Sequence, residues 1–259
     1  APCRVGSAPI PNIVFVPTGC RIPVLPLLHP YQPDGRSRRQ IHTSCKVLHW
    51  LHDICRTCRS GSCRPEVLPE KVIGSRDGLF YINEATGIVK SFVKPVLTSD
   101  LILTICFYEG EYYIGTYGGG MMVLNPQTLS LKYFTQGDTE LFQKGHIFCV
   151  KPDNRGNLWI GTSQGLFCYN GQTKQIKNFT STNSQLPEGN VYEVSFDSTG
   201  KGWIATETGM CIYDPASQSL RSNVFPEGFV HKDKVRTIYE DAEHNLYFIR
   251  EKGSLFTST

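Results

Sequence analysis

From residue 72 onward one phrase returns five times: Val72-Ile-Gly-Ser, Tyr113-Ile-Gly-Thr, Trp159-Ile-Gly-Thr, Trp203-Ile-Ala-Thr and a decayed Tyr247-Phe-Ile-Arg250, at steps of 41, 46, 44 and 44 residues. A fixed period of this length marks a tandem array of one supersecondary unit. The first four phrases are each followed within a few residues by a glycine and a short apolar run: Gly78-Leu-Phe-Tyr-Ile, Gly120-Met-Met-Val-Leu, Gly165-Leu-Phe-Cys-Tyr and Gly209-Met-Cys-Ile-Tyr. Runs of β-branched and aromatic residues separated by turn residues read as strands. In the unit from 190 to 233, Val191–Phe196, Gly202–Thr206, Met210–Tyr213 and Leu220–Phe225 are expected as four strands, joined by turns at Asp197-Ser-Thr-Gly200, Gly209 and Asp214-Pro-Ala-Ser217. Four strands in about 44 residues, repeated, predict β-propeller blades. The fold class is therefore all-β, with four-stranded antiparallel blades starting near 72, 102, 146, 190 and 234. About four blades are full and one is partial. Propellers close at four to eight blades, and an incomplete ring with open strand edges is expected here.

The recurrent aromatics Tyr113, Trp159, Trp203 and Tyr247 occupy one mid-strand position, which predicts packing between blades rather than an exposed sugar platform. Asp153-Asn-Arg-Gly156 and Asp197-Ser-Thr-Gly200 are too short and too poor in carboxylates for calcium loops and read as tight turns. Cys106, Cys149, Cys168 and Cys211 lie within apolar strand patterns as small hydrophobes.

Asn157-Leu-Trp-Ile-Gly-Thr162, followed by Gly165-Leu and Tyr169-Asn, resembles the two-component regulator propeller repeat. The Gly-His and Trp-Asp marks of WD40 repeats do not recur from unit to unit, and a kelch-like run of glycines occurs only at Gly118–Gly120. The resemblance implies the periplasmic sensor region of a hybrid two-component system histidine kinase. Such a sensor would recognise an oligosaccharide and regulate polysaccharide-utilisation genes. It further implies more blades and signalling domains in a parent protein, and a homodimer. The chain is then a fragment of a sensor.

The first seventy residues differ. They hold ten of the sixteen prolines and six of the ten cysteines, with a local charge of +5 against +3 for the whole chain. No blade phrase occurs there, and segment 1–70 is expected to be irregular or translated out of frame. His49, His52, Cys55, Cys58 and Cys63 form a weak alternative zinc cluster without the second Cys-x-x-Cys pair that would strengthen it. No metal and no cofactor are otherwise expected. A net charge of +3 is too small to argue for nucleic acid.

Strand alternation places the second-to-third turns and the blade-to-blade loops on one face. The latter vary in length and sequence, as at 137–145, 180–189 and 226–233, and variable loops on a regular scaffold are where binding resides. The ligand-binding candidates on that face are Arg76, Asp77, Tyr117, Gln164, Glu207 and Thr208. A propeller glycoside hydrolase or lyase would need two facing carboxylates, one kept protonated. Asp and Glu fall mainly in turns, with none expected to interrupt an apolar strand, so the chain is expected not to be an enzyme. A protein-binding scaffold is the alternative. An apolar patch on the loop face would favour it, whereas aromatic residues with Arg, Asn or Gln there would favour an oligosaccharide.

Overall fold

The computed structural model describes residues 12–15, 70–137, 139–222, 234–241, 244–250 and 255–258. They form five small sheets in chain order. Three are complete antiparallel blades: β5 (Ile102–Tyr108), β6 (Glu111–Thr116), β7 (Met121–Leu124) and β8 (Leu131–Tyr133) in the second; β9 (Ile147–Pro152), β10 (Asn157–Thr162), β11 (Gly165–Asn170) and β12 (Ile176–Phe179) in the third; β13 (Val191–Phe196), β14 (Gly202–Thr206), β15 (Gly209–Asp214) and β16 (Ser219–Arg221) in the fourth. The fifth contains β17 (Val235–Glu240), β18 (Leu246–Arg250) and β19 (Leu255–Ser258). In the first, β2 (Glu70–Gly74), β3 (Leu79–Asn83) and β4 (Ile88–Phe92) follow the repeat, but the inner strand is β1 (Asn12–Phe15), which runs parallel to β2. That strand comes from the segment in which the sequence shows no blade. The loop between the second and third blades contains a six-residue helix, α1 (Thr139–Lys144). Among the described residues no helix is long and apolar enough to cross a membrane.

Burial explains the order of strands within a blade. The second and third strands are sandwiched between neighbouring blades and are buried almost throughout, as in β6, β7 and β10. The fourth strands β4, β8 and β12 are largely exposed at the outer edge. Consequently no blade has a core of its own: the four apolar clusters each straddle one joint. Val72 and Leu79 pack with Ile102 and Ile114; Tyr113 and Met121 with Ile147 and Leu158; Trp159 and Leu166 with Val191 and Ile204; Ala205 and Met210 with Val235 and Phe248. Trp159, 1% exposed, lies 5.9 Å from the Phe196 ring and 4.5 Å from the Tyr213 ring of the next blade. Trp203 lies 5.6 Å from Phe248.

The small third residue of the phrase has a specific reason. A Cβ on Gly74 would lie 2.7 Å from Ile102 Cγ2, and one on Gly115 would lie 2.7 Å from Ile147 Cγ2. On Gly161 it would lie 2.5 Å from Cys149 Sγ and 2.8 Å from the Val191 carbonyl oxygen. The apolar residue that opens each of these following blades thus enters a socket left by a missing side chain, and at the fourth joint Ala205, with only a methyl group, shares one apolar cluster with Val235. The fifth sheet carries Ile249 at this position, 41% exposed.

The hydroxyl that ends the phrase closes the next turn. Ser75, Thr116, Thr162 and Thr206 donate from Oγ to the carbonyls of Gly78, Gly120, Gly165 and Gly209 at 2.8–3.1 Å, and the three threonines are fully buried. These glycines hold φ between 71° and 145°, a region that side chains rarely adopt. At the opposite end of the blade a carboxylate organises the first turn. Asp153 and Asp197 each accept a hydrogen bond from the indole Nε1 six residues on, Trp159 at 2.9 Å and Trp203 at 2.8 Å; Asp241 accepts one from the Tyr247 hydroxyl at 2.9 Å. Asp153 also accepts from the backbone of Arg155 and Asn157 and from Asn157 Nδ2. Its oxygens are committed to the turn, as the tight-turn reading requires.

β2 of the first sheet packs against the inner strand β5, the inner strands β5, β9, β13 and β17 pack side by side in turn, and among the described residues no comparable packing joins the fifth sheet to the first. The arrangement is an incomplete propeller ring. Because the Val191 carbonyl that faces Gly161 is backbone and cannot swing aside, Gly161→Val is expected to lower unfolding stability by about 2–3 kcal/mol, against at most about 0.5 kcal/mol for Gln172→Val on an exposed turn. Urea denaturation measures both; equal effects would contradict the socket.

Candidate ligand-binding rim

The backbone joins the second-to-third turns to the residues that precede each inner strand. Tyr117 N donates to Leu101 O (2.9 Å), Ser163 N to His146 O (3.2 Å) and Glu207 N to Asn190 O (2.9 Å). These turns and the blade-to-blade connections therefore share one face, at the inner edge of the arc.

Each inner strand from the second blade to the fifth begins with a β-bulge. The register steps from Ile102 to Thr104 and from Val191 to Glu193, with equivalent steps at Ile147–Cys149 and Val235–Thr237. The extra residues are Leu103, Phe148, Tyr192 and Arg236. A bulge re-aims a side chain at a sheet edge. Here it builds a continuous row across four blades. The Tyr117 ring, 51% exposed, lies 4.1 Å from the His146 ring, which lies 6.1 Å from Phe148; Phe148 lies 5.1 Å from Tyr192; and the Arg236 guanidinium sits 4.3 Å from the centre of the Tyr192 ring. Lys234 Nζ approaches the same ring at 5.1 Å, and Asn190 Nδ2 donates to the Tyr192 hydroxyl at 3.1 Å.

Of the candidates read from sequence, Tyr117 and Glu207 join this row. Glu207 accepts from Asn190 N at 3.4 Å and lies 3.7 Å from Lys234 Nζ. Arg76, Asp77, Gln164 and Thr208 are exposed on the same face, but their neighbours are their own turns and loops: Asp77 N donates to Ser75 Oγ, Gln164 N to Thr162 Oγ1 and Thr208 Oγ1 to Glu188 O. His146, Phe148, Asn190, Tyr192, Lys234 and Arg236 were not singled out by the sequence. Phe148, Tyr192 and Arg236 carry one signal, a large residue directly after the buried Ile147, Val191 or Val235, where strict alternation is broken; His146, Asn190 and Lys234 directly precede those residues and carry none. The zinc cluster at His49–Cys63 lies outside the described residues.

One expectation is corrected. Glu193 does interrupt an apolar strand, between Tyr192 and Val194 in β13. Burial pushes its carboxyl above the ordinary value, and the Lys151 ammonium at 3.5 Å on the preceding blade works against that shift. The Asp197 carboxyl moves the other way: burial raises it, but hydrogen bonds from Thr199, Trp203 and the Lys201 and Thr199 backbone together hold it below the ordinary value. Burial also pushes the Cys106 and Cys168 thiols up to about 12 and those of Cys149 and Cys211 up as well, so these four cysteines, free among the described residues, behave as hydrophobes.

Aromatic faces interleaved with a guanidinium, an ammonium and an amide can stack on an apolar ligand surface while bonding its polar edge. The two component regulator propeller family matches residues 142–164, which run from α1 through β9 and β10 into the turn that follows. The matched stretch carries one two-component regulator propeller repeat. It is similar to the extracellular domains of two proteins assigned as hybrid two-component systems of B. thetaiotaomicron. One is 25% identical, covering 73% of this chain and 25% of that domain at a TM-score of 0.58. The other is 20% identical, with 72% and 25% covered and a TM-score of 0.58, a likeness of fold. The chain thus spans about a quarter of the length of these neighbours. No curated protein matches the chain.

Because the folded chain holds the Glu193 proton more tightly than the unfolded chain does, the charged carboxylate costs stability at neutral pH. That cost grows as pH rises from the ordinary glutamate value through the folded one. Glu193→Gln is therefore expected to lose this decline, so that melting temperatures of the variant and the native chain diverge in the variant's favour between pH 4 and pH 8. A variant that is less stable at pH 8 than at pH 4, relative to the native chain, would contradict the assignment.

Proposed function

We propose that this chain is a ligand-binding segment of an extracytoplasmic sensor in a hybrid two-component signalling protein, and that its ligand is an oligosaccharide held at the inner rim of the loop face. The row Tyr117, His146, Phe148, Tyr192 and Arg236 carries the reading. A pyranose presents C–H faces to aromatic rings and a girdle of hydroxyls to guanidinium and amide groups. The rim offers both types of partner side by side. Of the exposed large apolar side chains, Ile88 and Val89 lie on the outer strand β4, and Val93 and Val96 lie in the connection that leads from the first blade to the second, ahead of the row. The guanidinium, ammonium and amide groups interleaved with the rings of the row support a sugar there over a docked protein.

Likeness to extracellular domains supports a position outside the inner membrane, and the periplasm is the proposed compartment. In the proposed mechanism the glycan shifts the populations of two geometries of a homodimeric parent, whose histidine kinase reads the shift and controls polysaccharide-utilisation genes. The ligand acts only through its differential affinity for the two states. Binding rather than catalysis is proposed for this region, because Glu193 faces a lysine instead of a second carboxylate.

Calorimetric titration of the chain with a panel of plant and host oligosaccharides tests the proposal. One sugar class is expected to bind, and Tyr192→Ala is expected to weaken it by about tenfold or more, the effect of losing a stacking face. Binding that Tyr192→Ala leaves unchanged would contradict the rim, and a folded chain that binds no sugar of the panel would contradict the ligand class.

A further inference from the structure

The first residue to return to register after each bulge is short in three of the inner strands: Thr104 in β5, Cys149 in β9 and Thr237 in β17. The first two reach across a joint to the next inner strand, Thr104 Oγ1 accepting from Val150 N at 3.2 Å and Cys149 Sγ accepting from the Val194 backbone. In β13 the same position is Glu193. A hydroxyl would make such a bond without burying a charge, and burial pushes the Glu193 carboxyl above its ordinary value. Stability alone therefore does not account for a glutamate at this joint.

What the longer side chain adds is reach. Lys151 Nζ of β9 lies 3.5 Å from Glu193 Oε1, and the Thr237 hydroxyl of β17 bonds the same carboxylate. Lys151 follows Phe148 by three residues, while Glu193 directly follows Tyr192 and Thr237 directly follows Arg236. The three strands that meet at this carboxylate are thus the three that supply the Phe148 ring, the Tyr192 ring and the Arg236 guanidinium to the row. Lys151 and Cys149 face Glu193 from β9 and Thr237 faces it from β17, which also carries Arg236, Tyr239 and Glu240. Strands β10 and β14 contain no titratable residue. Lys234, ahead of β17, is turned to the Tyr192 ring and to Glu207.

We propose that Glu193 is a positioning residue for the rim: its carboxylate holds three inner strands in the register that stacks Arg236 on Tyr192 and sets Tyr192 against Phe148, at a cost to the stability of the fold. Protonation removes the charge that Lys151 answers, so the row is ordered at neutral pH and loosens in acid. The role rests on the rim as the ligand site, but the row is read without a ligand, so failure of this test and failure to bind a sugar are separate results. NMR of the intact chain follows the Arg236 Cδ–H resonances, displaced by the Tyr192 ring, from pH 8 to pH 4, with Tyr192→Ala giving their undisplaced positions. In the native chain the displacement is expected to be largest at pH 8 and to fall by about twofold or more toward pH 4, the loosening of a held cation–ring contact. In Glu193→Gln it is expected to be small at pH 8 and flat with pH, although that variant melts higher there. Thr237→Val, which keeps the charge but not the bond to β17, is expected to reduce the Arg236 displacement and leave the Phe148–Tyr192 contacts in place. The proposal is overturned if the native displacement is the same at pH 8 and pH 4, or if Glu193→Gln keeps the native displacement or the native pH profile.

Discussion

Each blade is fastened to the next by one apolar side chain seated against a glycine or, at the last joint, an alanine. Ile102 meets Gly74, Ile147 meets Gly115, Val191 meets Gly161 and Val235 meets Ala205. Fully burying such a side chain contributes about 1.5–3 kcal/mol, and the socket brings the second strand of one blade against the first strand of the next. Since every apolar cluster straddles a joint, a blade isolated from its neighbours would bury almost nothing. Stability is then a sum over joints, as in other repeat architectures. The same contact also sets the proposed binding surface, because the residue after each seated side chain is the bulged one. Seating Ile147, Val191 and Val235 aligns Phe148, Tyr192 and Arg236 along the inner edge, and any loosening of a joint would break the row.

The rim and the first turns show two uses of charge on one scaffold. At the first turns, Asp153, Asp197 and Asp241 have their oxygens bonded to the turn and to the recurrent aromatic, which fixes the aromatic's rotation in the joint. At the inner strands, Lys151 and Glu193 form a partly buried pair between the third and fourth blades, and the Glu193 carboxylate is incompletely compensated. The first turns are therefore built for rigidity. The inner edge keeps polar groups whose pairing a ligand could improve.

The repeat, the strand order and the shared loop face were legible in the sequence because each follows from a period and an alternation. The burial of Trp159 and the tight turn at Asp153 were legible for the same reason. The rim was not. It depends on bulges, in which one residue is added to a strand and the side-chain alternation changes hand. Nothing in Val191-Tyr-Glu-Val announces that Tyr192 is the added residue. Tyr117 and Glu207 were reachable because they lie in turns, and turns are visible as glycine-rich breaks. Glu193 was missed because the acidic residues were read as falling mainly in turns. The parallel strand Asn12–Phe15 was missed because the repeat has no parallel strand to extrapolate from.

Backbone hydrogen–deuterium exchange of the chain with and without the best-binding oligosaccharide tests the central claim, that ligand is held on the loop face at the starts of the inner strands. Slower exchange is expected at the segments around 146–149, 190–193 and 234–237, with the first turns at Asp153 and Asp197 unchanged. Protection confined to those first turns, on the opposite face, would contradict the account.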